Sequence, residues 1–101
     1  MEIARKQIEG AEILIVEGNI DIVTAPKLQA ELESALSSTA HLVLDFNGVR
    51  YMSSAGLRVL LSGQKISQSK NKSMVLKNIQ KEVMEVFDVT GFTSILTIEQ
   101  D

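Results

Sequence analysis

Apolar residues fall along this chain in short continuous runs that alternate with helical stripes. Residues 1–9 alternate loosely and Gly10-Ala11 marks a turn, after which Ile13-Leu14-Ile15-Val16 reads as a buried strand ending near Gly18. The short spacing predicts an antiparallel hairpin. Glu17 to Thr24 is a loop containing Asp21. Thr24-Ala25-Pro26 is a helix start: Thr24 is the predicted cap, and proline is tolerated in a first turn because its missing N–H has no partner there anyway. Leu28, Leu32, Ala35 and Leu36 follow at helical spacing, with Gln29, Glu31 and Glu33 off that face, and Ser37-Ser38-Thr39 ends the helix. A second buried strand, near 42–46, opens with Leu42-Val43-Leu44 and is broken by Asn47-Gly48. Val49 to Met52 then run extended toward Ser53 and Ser54, Met52 being read as a core residue. From about 55 to 69 the period changes to helix, with Leu57, Leu60 and Leu61 on one face. Ser73-Met74-Val75-Leu76 is another strand. Asn78 is the predicted cap of a helix carrying Val83, Val86 and Phe87, stopped by Thr90-Gly91 with the glycine left-handed. Ile95 to Ile98 is a last β-like segment.

The resulting order is β-β-α-β-α-β-α-β. Strands alternating with helices imply parallel pairs joined by right-handed crossovers, so the fold class is α/β. The expectation is one domain over residues 1–101, with a mixed, mostly parallel sheet of four to five strands. In such sheets sites form at the carboxyl ends of the parallel strands. Ser53 and Ser54 follow one such end. The Gly18-to-Thr24 loop follows another, and neighbouring strands would put Asp21 beside the serines.

Composition narrows the function classes. The chain has 101 residues and 45% apolar content, which suits one small folded domain. Net charge is −3 and no run of like charges exceeds a pair, so no nucleic-acid groove or polybasic membrane patch is indicated. Lys65, Lys70, Lys72, Lys77 and Lys81 read as a solvated face. The absence of cysteine excludes disulfides and thiolate metal sites, and fits a reducing compartment. Met1 to Lys6 lacks the features of a signal peptide and no apolar stretch approaches ~20 residues. The expected location is the cytoplasm, without a membrane span.

Catalytic chemistry finds few reagents. Strand–serine–helix is similar to a nucleophile elbow, but that motif requires G-x-S-x-G and Met52 stands two residues before Ser54. The one histidine, His41, precedes the strand whose far end leads to Ser54. At ~3.3 Å per residue the strand keeps it out of hydrogen-bond reach, and it reads as a surface loop residue. Asp45 follows a strand, as a phospho-acceptor aspartate does, yet no acidic pair after Val16 is present to hold a divalent ion. Its expected role is to tie down the Asn47-Gly48 turn. No phosphate-cradling glycine loop and no transition-metal ligand set occurs. The reading is therefore not an enzyme, with no cofactor and no metal.

The serine junction has its own physics. The first turn of a helix carries unpaired N–H groups and the positive end of the macrodipole, so a serine there can cap the helix and a phosphate there is stabilised. Beyond this, D-F-N-G-V-R-Y-M-S-S-A-G-L-R-V-L-L, from Asp45 to Leu61, resembles the central signature of the STAS domain in its bacterial anti-sigma factor antagonist branch. Gly18 to Leu28 resembles that family's loop and first helix, and Val86 to Phe92 its later helix end.

The resemblance implies a protein that binds an anti-sigma factor with serine kinase activity when unphosphorylated, freeing a sigma factor for transcription. Phosphorylation by that kinase would switch it off, and a protein phosphatase would reverse the mark. Residue by residue, the acceptor falls on Ser54, with Ser53 as the alternative. The family often has aspartate where Ser53 stands, and serine or threonine where Ala55 stands. Asp21, Ser53, Ser54, Ala55 and Gly56 are the expected partner-binding residues, with Arg50 and Arg58 flanking them. The other reading that the resemblance allows is a non-switching STAS scaffold or accessory subunit of a signalling or transport complex. Family members often continue into a further C-terminal helix for which this sequence leaves no room, and the expected state is a monomer or weak dimer.

Overall fold

Hydrogen bonding turns the two periodicities into five strands and three helices. The computed structural model describes residues 1–100, so Asp101, the last residue of the predicted domain, lies outside the described residues. The strands are β1 (Glu2–Ile8), β2 (Ala11–Glu17), β3 (His41–Gly48), β4 (Ser73–Lys77) and β5 (Thr97–Glu99). The helices are α1 (Ala25–Ser38), α2 (Ser54–Ser69) and α3 (Lys81–Thr90), with a short 3-10 turn at Phe92–Ser94. This is the predicted order, and the sheet is mixed as expected. The strands lie in the order β1-β2-β3-β4-β5, with β1 antiparallel to β2 and every other pair parallel.

Register explains which residues form the core. Leu14, Leu44, Leu76 and Ile98 lie side by side across four strands, so they project from the same face. Glu12, Leu42 and Met74 form the next row on that face. The buried residues of all three helices join this face in one cluster, including Leu28, Leu32, Leu36, Leu60, Val83 and Phe87. The helices therefore stand on one side of the sheet, as right-handed crossovers between successive neighbouring strands require. The opposite face carries the row Ile13, Val43, Val75, which lies outside that cluster.

Several local expectations change. His41 is not in a loop but is the first residue of β3, where its ring Nδ1 pairs with the hydroxyl of Ser73 across the register. Asn47-Gly48 does not end β3, which runs through Gly48. Glycine is needed there for close approach: a Cβ on Gly48 would lie 2.8 Å from Glu17 Cγ, and Gly18 donates to the Gly48 carbonyl at 3.0 Å. Asp45 does brace this region, accepting from Asn47 N at 3.0 Å and from Asn78 Nδ2 at 3.1 Å. Asn78 is thereby not the α3 cap. It sits at φ +59°, a left-handed conformation that asparagine tolerates, while Gln80 occupies the cap position without a side-chain cap bond. Val86 is only partly buried beside Val83 and Phe87. Gly91 is left-handed as predicted, with φ +80°. The last strand begins later than expected because Phe92–Ser94 turn once more, leaving Ile95 exposed.

The lysines do not share one solvated face. Lys72 donates to the Leu36 carbonyl near the end of α1, and Lys77 pairs with Glu99 at 3.5 Å on the adjacent strand. Two buried polar residues carry no sequence signal. Glu12 is 3% exposed and is satisfied by Ser38 Oγ at 2.9 Å and Gln7 Nε2 at 3.4 Å, with Arg5 Nη1 at 3.9 Å. Gln64 of α2 is also buried, and its Oε1 has no partner among the described residues. A buried acceptor left unpaired costs roughly 1–3 kcal/mol. Gln64→Met, which keeps the volume and removes that atom, is expected to raise stability by about 1 kcal/mol in urea denaturation. An unchanged midpoint would mean that water reaches the carbonyl.

Candidate functional site at the helix start

Beyond Gly18 and Gly48 the chains leaving β2 and β3 stay paired for one more step. Ile20 and Met52 form an isolated parallel bridge, with Ile20 N donating to Tyr51 O at 3.0 Å and Ser53 N donating to Ile20 O at 2.9 Å. Ile20 is fully buried and Met52, as expected, nearly so. This bridge sets Asp21, the next residue, alongside the double serine, as sequence order implied.

The two serines have different surroundings. Ser53 is the N-cap of α2, extended at φ −91° and ψ 172°, and its hydroxyl accepts from Gly56 N at 3.4 Å. Ser54 is the first helical residue; it is exposed, and its hydroxyl has no partner among the described residues. The bridge also explains Gly56. A Cβ there would lie 2.4 Å from Met52 Sδ and 2.6 Å from Ile20 Cγ2, so the start of α2 presses directly on the bridge. Gly56 is buried and Ala55 only 9% exposed, so little of either reaches solvent.

Asp21 has a structural task that the sequence reading assigned to Thr24. The Thr24 side chain makes no cap bond to α1. The cap lies one turn earlier: Asp21 Oδ1 accepts from Val23 N at 2.9 Å and Thr24 N at 3.0 Å, and Asp21 O accepts from Ala25 N at 2.8 Å. Thr24 Oγ1 reciprocates by accepting from Asp21 N at 2.9 Å and donates to Asn19 O at 2.8 Å. This D-x-x-T arrangement satisfies donors at both ends in the manner of a capping box. Hydrogen bonding from the Thr24 N–H first, then from Val23 N–H and the Thr24 hydroxyl, outweighs desolvation and holds the Asp21 carboxyl below its ordinary range. A depressed folded value makes its stabilisation complete above the unfolded value of about 3.9 and lost as pH falls through the folded one. Asp21→Asn is accordingly expected to narrow the stability gap to wild type below about pH 4, in melting curves taken from pH 7 to 3. A gap of equal size at both ends would contradict this role.

The arginines separate. Arg50 Nη1 lies 3.7 Å from Glu82 Oε2 of α3, so it is engaged within the chain, although both side chains are exposed and such a pair is weak. Arg58 is exposed and forms no ion pair among the described residues. It borders a shallow groove between the starts of α1 and α2, with Ile22, Pro26 and Ala55. Three apolar side chains near this end are exposed: Ile22 (77%), Val23 (82%) and Tyr51 (53%). In the sequence Ile22 and Val23 are an apolar pair inside a predicted loop, and Tyr51 stands in the extended run before the serines, so none of the three carries a signal of exposure. Among the described residues no group of three or more His, Cys, Asp or Glu could hold a metal ion, and no helix is long and apolar enough to cross a membrane.

The molecule is thus an α/β domain that presents one free serine hydroxyl at a helix start. A profile of the STAS domain matches residues 2–101, and the chain belongs to the STAS domain family. BtrV of Bordetella bronchiseptica, provisionally assigned as an anti-sigma factor antagonist, is 33% identical over 99 residues, which cover 97% of this chain and 85% of that protein. The anti-sigma-B factor antagonist of Bacillus subtilis is 31% identical over 93 residues, covering 92% and 85% of the two chains. In fold, the chain is similar to the anti-sigma factor antagonist SpoIIAA in its unphosphorylated form, with TM-score 0.75 at 13% identity over 99% of this chain and 89% of that one. It is equally similar to the Bacillus SpoIIAA structure in the phosphorylated form, with TM-score 0.73 at 14% identity over 97% and 91%.

Proposed function

We propose that this protein is an anti-sigma factor antagonist switched by phosphorylation of Ser54. Unphosphorylated, it binds an anti-sigma factor with serine kinase activity in the cytoplasm and frees a sigma factor for transcription. The kinase transfers the terminal phosphoryl group of a nucleoside triphosphate to Ser54 Oγ. An O–P bond forms there, the hydroxyl proton leaves, and the nucleoside diphosphate departs. A protein phosphatase returns the serine by adding water to phosphorus and releasing inorganic phosphate.

The observation that carries this reading is the contrast between the serines. Ser53 is half-buried with its hydroxyl committed to the helix cap, whereas Ser54 is exposed and uncommitted. The names of the relatives supply the partner class. A mark at Ser54 need not disturb the fold, because the side chain already lies in solvent at the positive end of a helix. An interface closed over Ser54 would have to desolvate the dianion, and this is what the switch exploits. The test is co-purification of an anti-sigma kinase with wild-type protein, with Ser54→Ala and with a Ser54→Asp variant. Retention by the first two and loss by the third supports the proposal; equal retention by all three overturns it.

A further inference from the structure

Resting on Ser54 as the acceptor, we infer that Arg58 is the internal partner of the phosphate, clamping it one turn along the same helix. Ser54 and Arg58 occupy positions i and i+4 of α2, which places them on one face about 5–6 Å apart at Cβ. Helical side chains lean toward the helix N-terminus, so an arginine at i+4 extends back over the first turn. Its guanidinium matches phosphate geometry with two parallel N–H donors.

The surrounding charges leave this role to Arg58. Arg50 is engaged by Glu82 of α3, and the Asp21 carboxylate is taken up by Val23 and Thr24 of its own turn. Arg58 is exposed and without an ion pair among the described residues. It also borders the groove with Ile22, Pro26 and Ala55, next to the exposed Ser54. In the unphosphorylated protein the guanidinium is free for a carboxylate on a bound partner. Once Ser54 carries a phosphate, the same group is drawn onto it. The mark then acts twice, by adding negative charge to the interface and by withdrawing the groove's cation.

Phosphoserine can be installed at position 54 during translation, so the test needs no kinase and stays informative even if Ser54 is not the acceptor in cells. The second ionisation of the phosphate is followed by phosphorus NMR in phosphorylated wild type, Arg58→Gln and Arg58→Lys. An i,i+4 charge pair predicts a titration midpoint about 0.2–0.4 unit lower in wild type than in Arg58→Gln, with Arg58→Lys recovering part of the difference. Melting of the unphosphorylated forms checks folding; should Arg58→Gln prove unfolded, the Lys variant and salt dependence of the wild-type midpoint replace it. Superimposable titrations of wild type and the charge-removing variant, or a wild-type midpoint that shifts with salt just as that of a free phosphoserine peptide does, overturn the clamp.

Discussion

Gly56→Val is expected to cost about 1–3 kcal/mol of stability and to lower the melting midpoint by more than about 5 °C. The new Cβ would fall 2.4 Å from Met52 Sδ and 2.6 Å from Ile20 Cγ2, well inside van der Waals contact. The methionine can swing away. Ile20 is β-branched, fully buried and held through both its N–H and its carbonyl by the segment from Tyr51 to Ser53, so it cannot. Alanine would meet the same clash but regains up to about 1 kcal/mol of helix propensity, whereas valine regains less and adds two methyls. The damage is also local to the site, since the strained contact is the bridge that holds Ser53 and Asp21 together. Urea or thermal denaturation measures the loss; a wild-type midpoint would mean that α2 can shift without cost.

Phosphorylation of Ser54 is expected to weaken binding of the anti-sigma kinase several-hundred-fold, from a desolvation penalty of ~3–4 kcal/mol against 1.4 kcal/mol per decade. Ser54→Asp carries half the charge and is expected to lose much of the affinity too, while Ser54→Ala keeps it. Ser53→Ala has a different signature: loss of the cap costs about 1 kcal/mol of stability and leaves a phosphorylatable Ser54. Titration calorimetry of wild type, its phosphorylated form and the three variants against one partner separates charge from capping. Equal affinity of Ser54→Asp and wild type would end the electrostatic account.

The backbone plan was legible because its signals were strong and local. Ile13–Val16, Leu42–Leu44 and Met74–Leu76 are apolar runs too short for helices, and each became a strand. The change of period after Ser54 marked α2. The errors share a cause, which is that capping and turn residues act through tertiary partners that a single sequence does not display. Asp21 outcompetes Thr24 as the α1 cap because the Ile20 bridge fixes where that turn begins. Gly48 proved to be a close-approach glycine because β2 passes beside it, and Asn78 was diverted from capping by the end of β3. At the site, the serines, Gly56 and Asp21 were visible in the sequence as neighbours. The division of labour between Ser53 and Ser54 was not, since it depends on which hydroxyl the Gly56 N–H meets. The exposed Ile22 and Val23 were hidden because apolar residues in a loop are equally consistent with burial.

Peptide mass spectrometry of the protein isolated from its native cells tests the central claim most directly. The account predicts a phosphate on Ser54, in a fraction that changes with growth conditions, and an unmodified Ser53. A phosphate found only on Ser53, or none on either serine under any condition, would contradict it and return Ser54 to an ordinary first-turn residue.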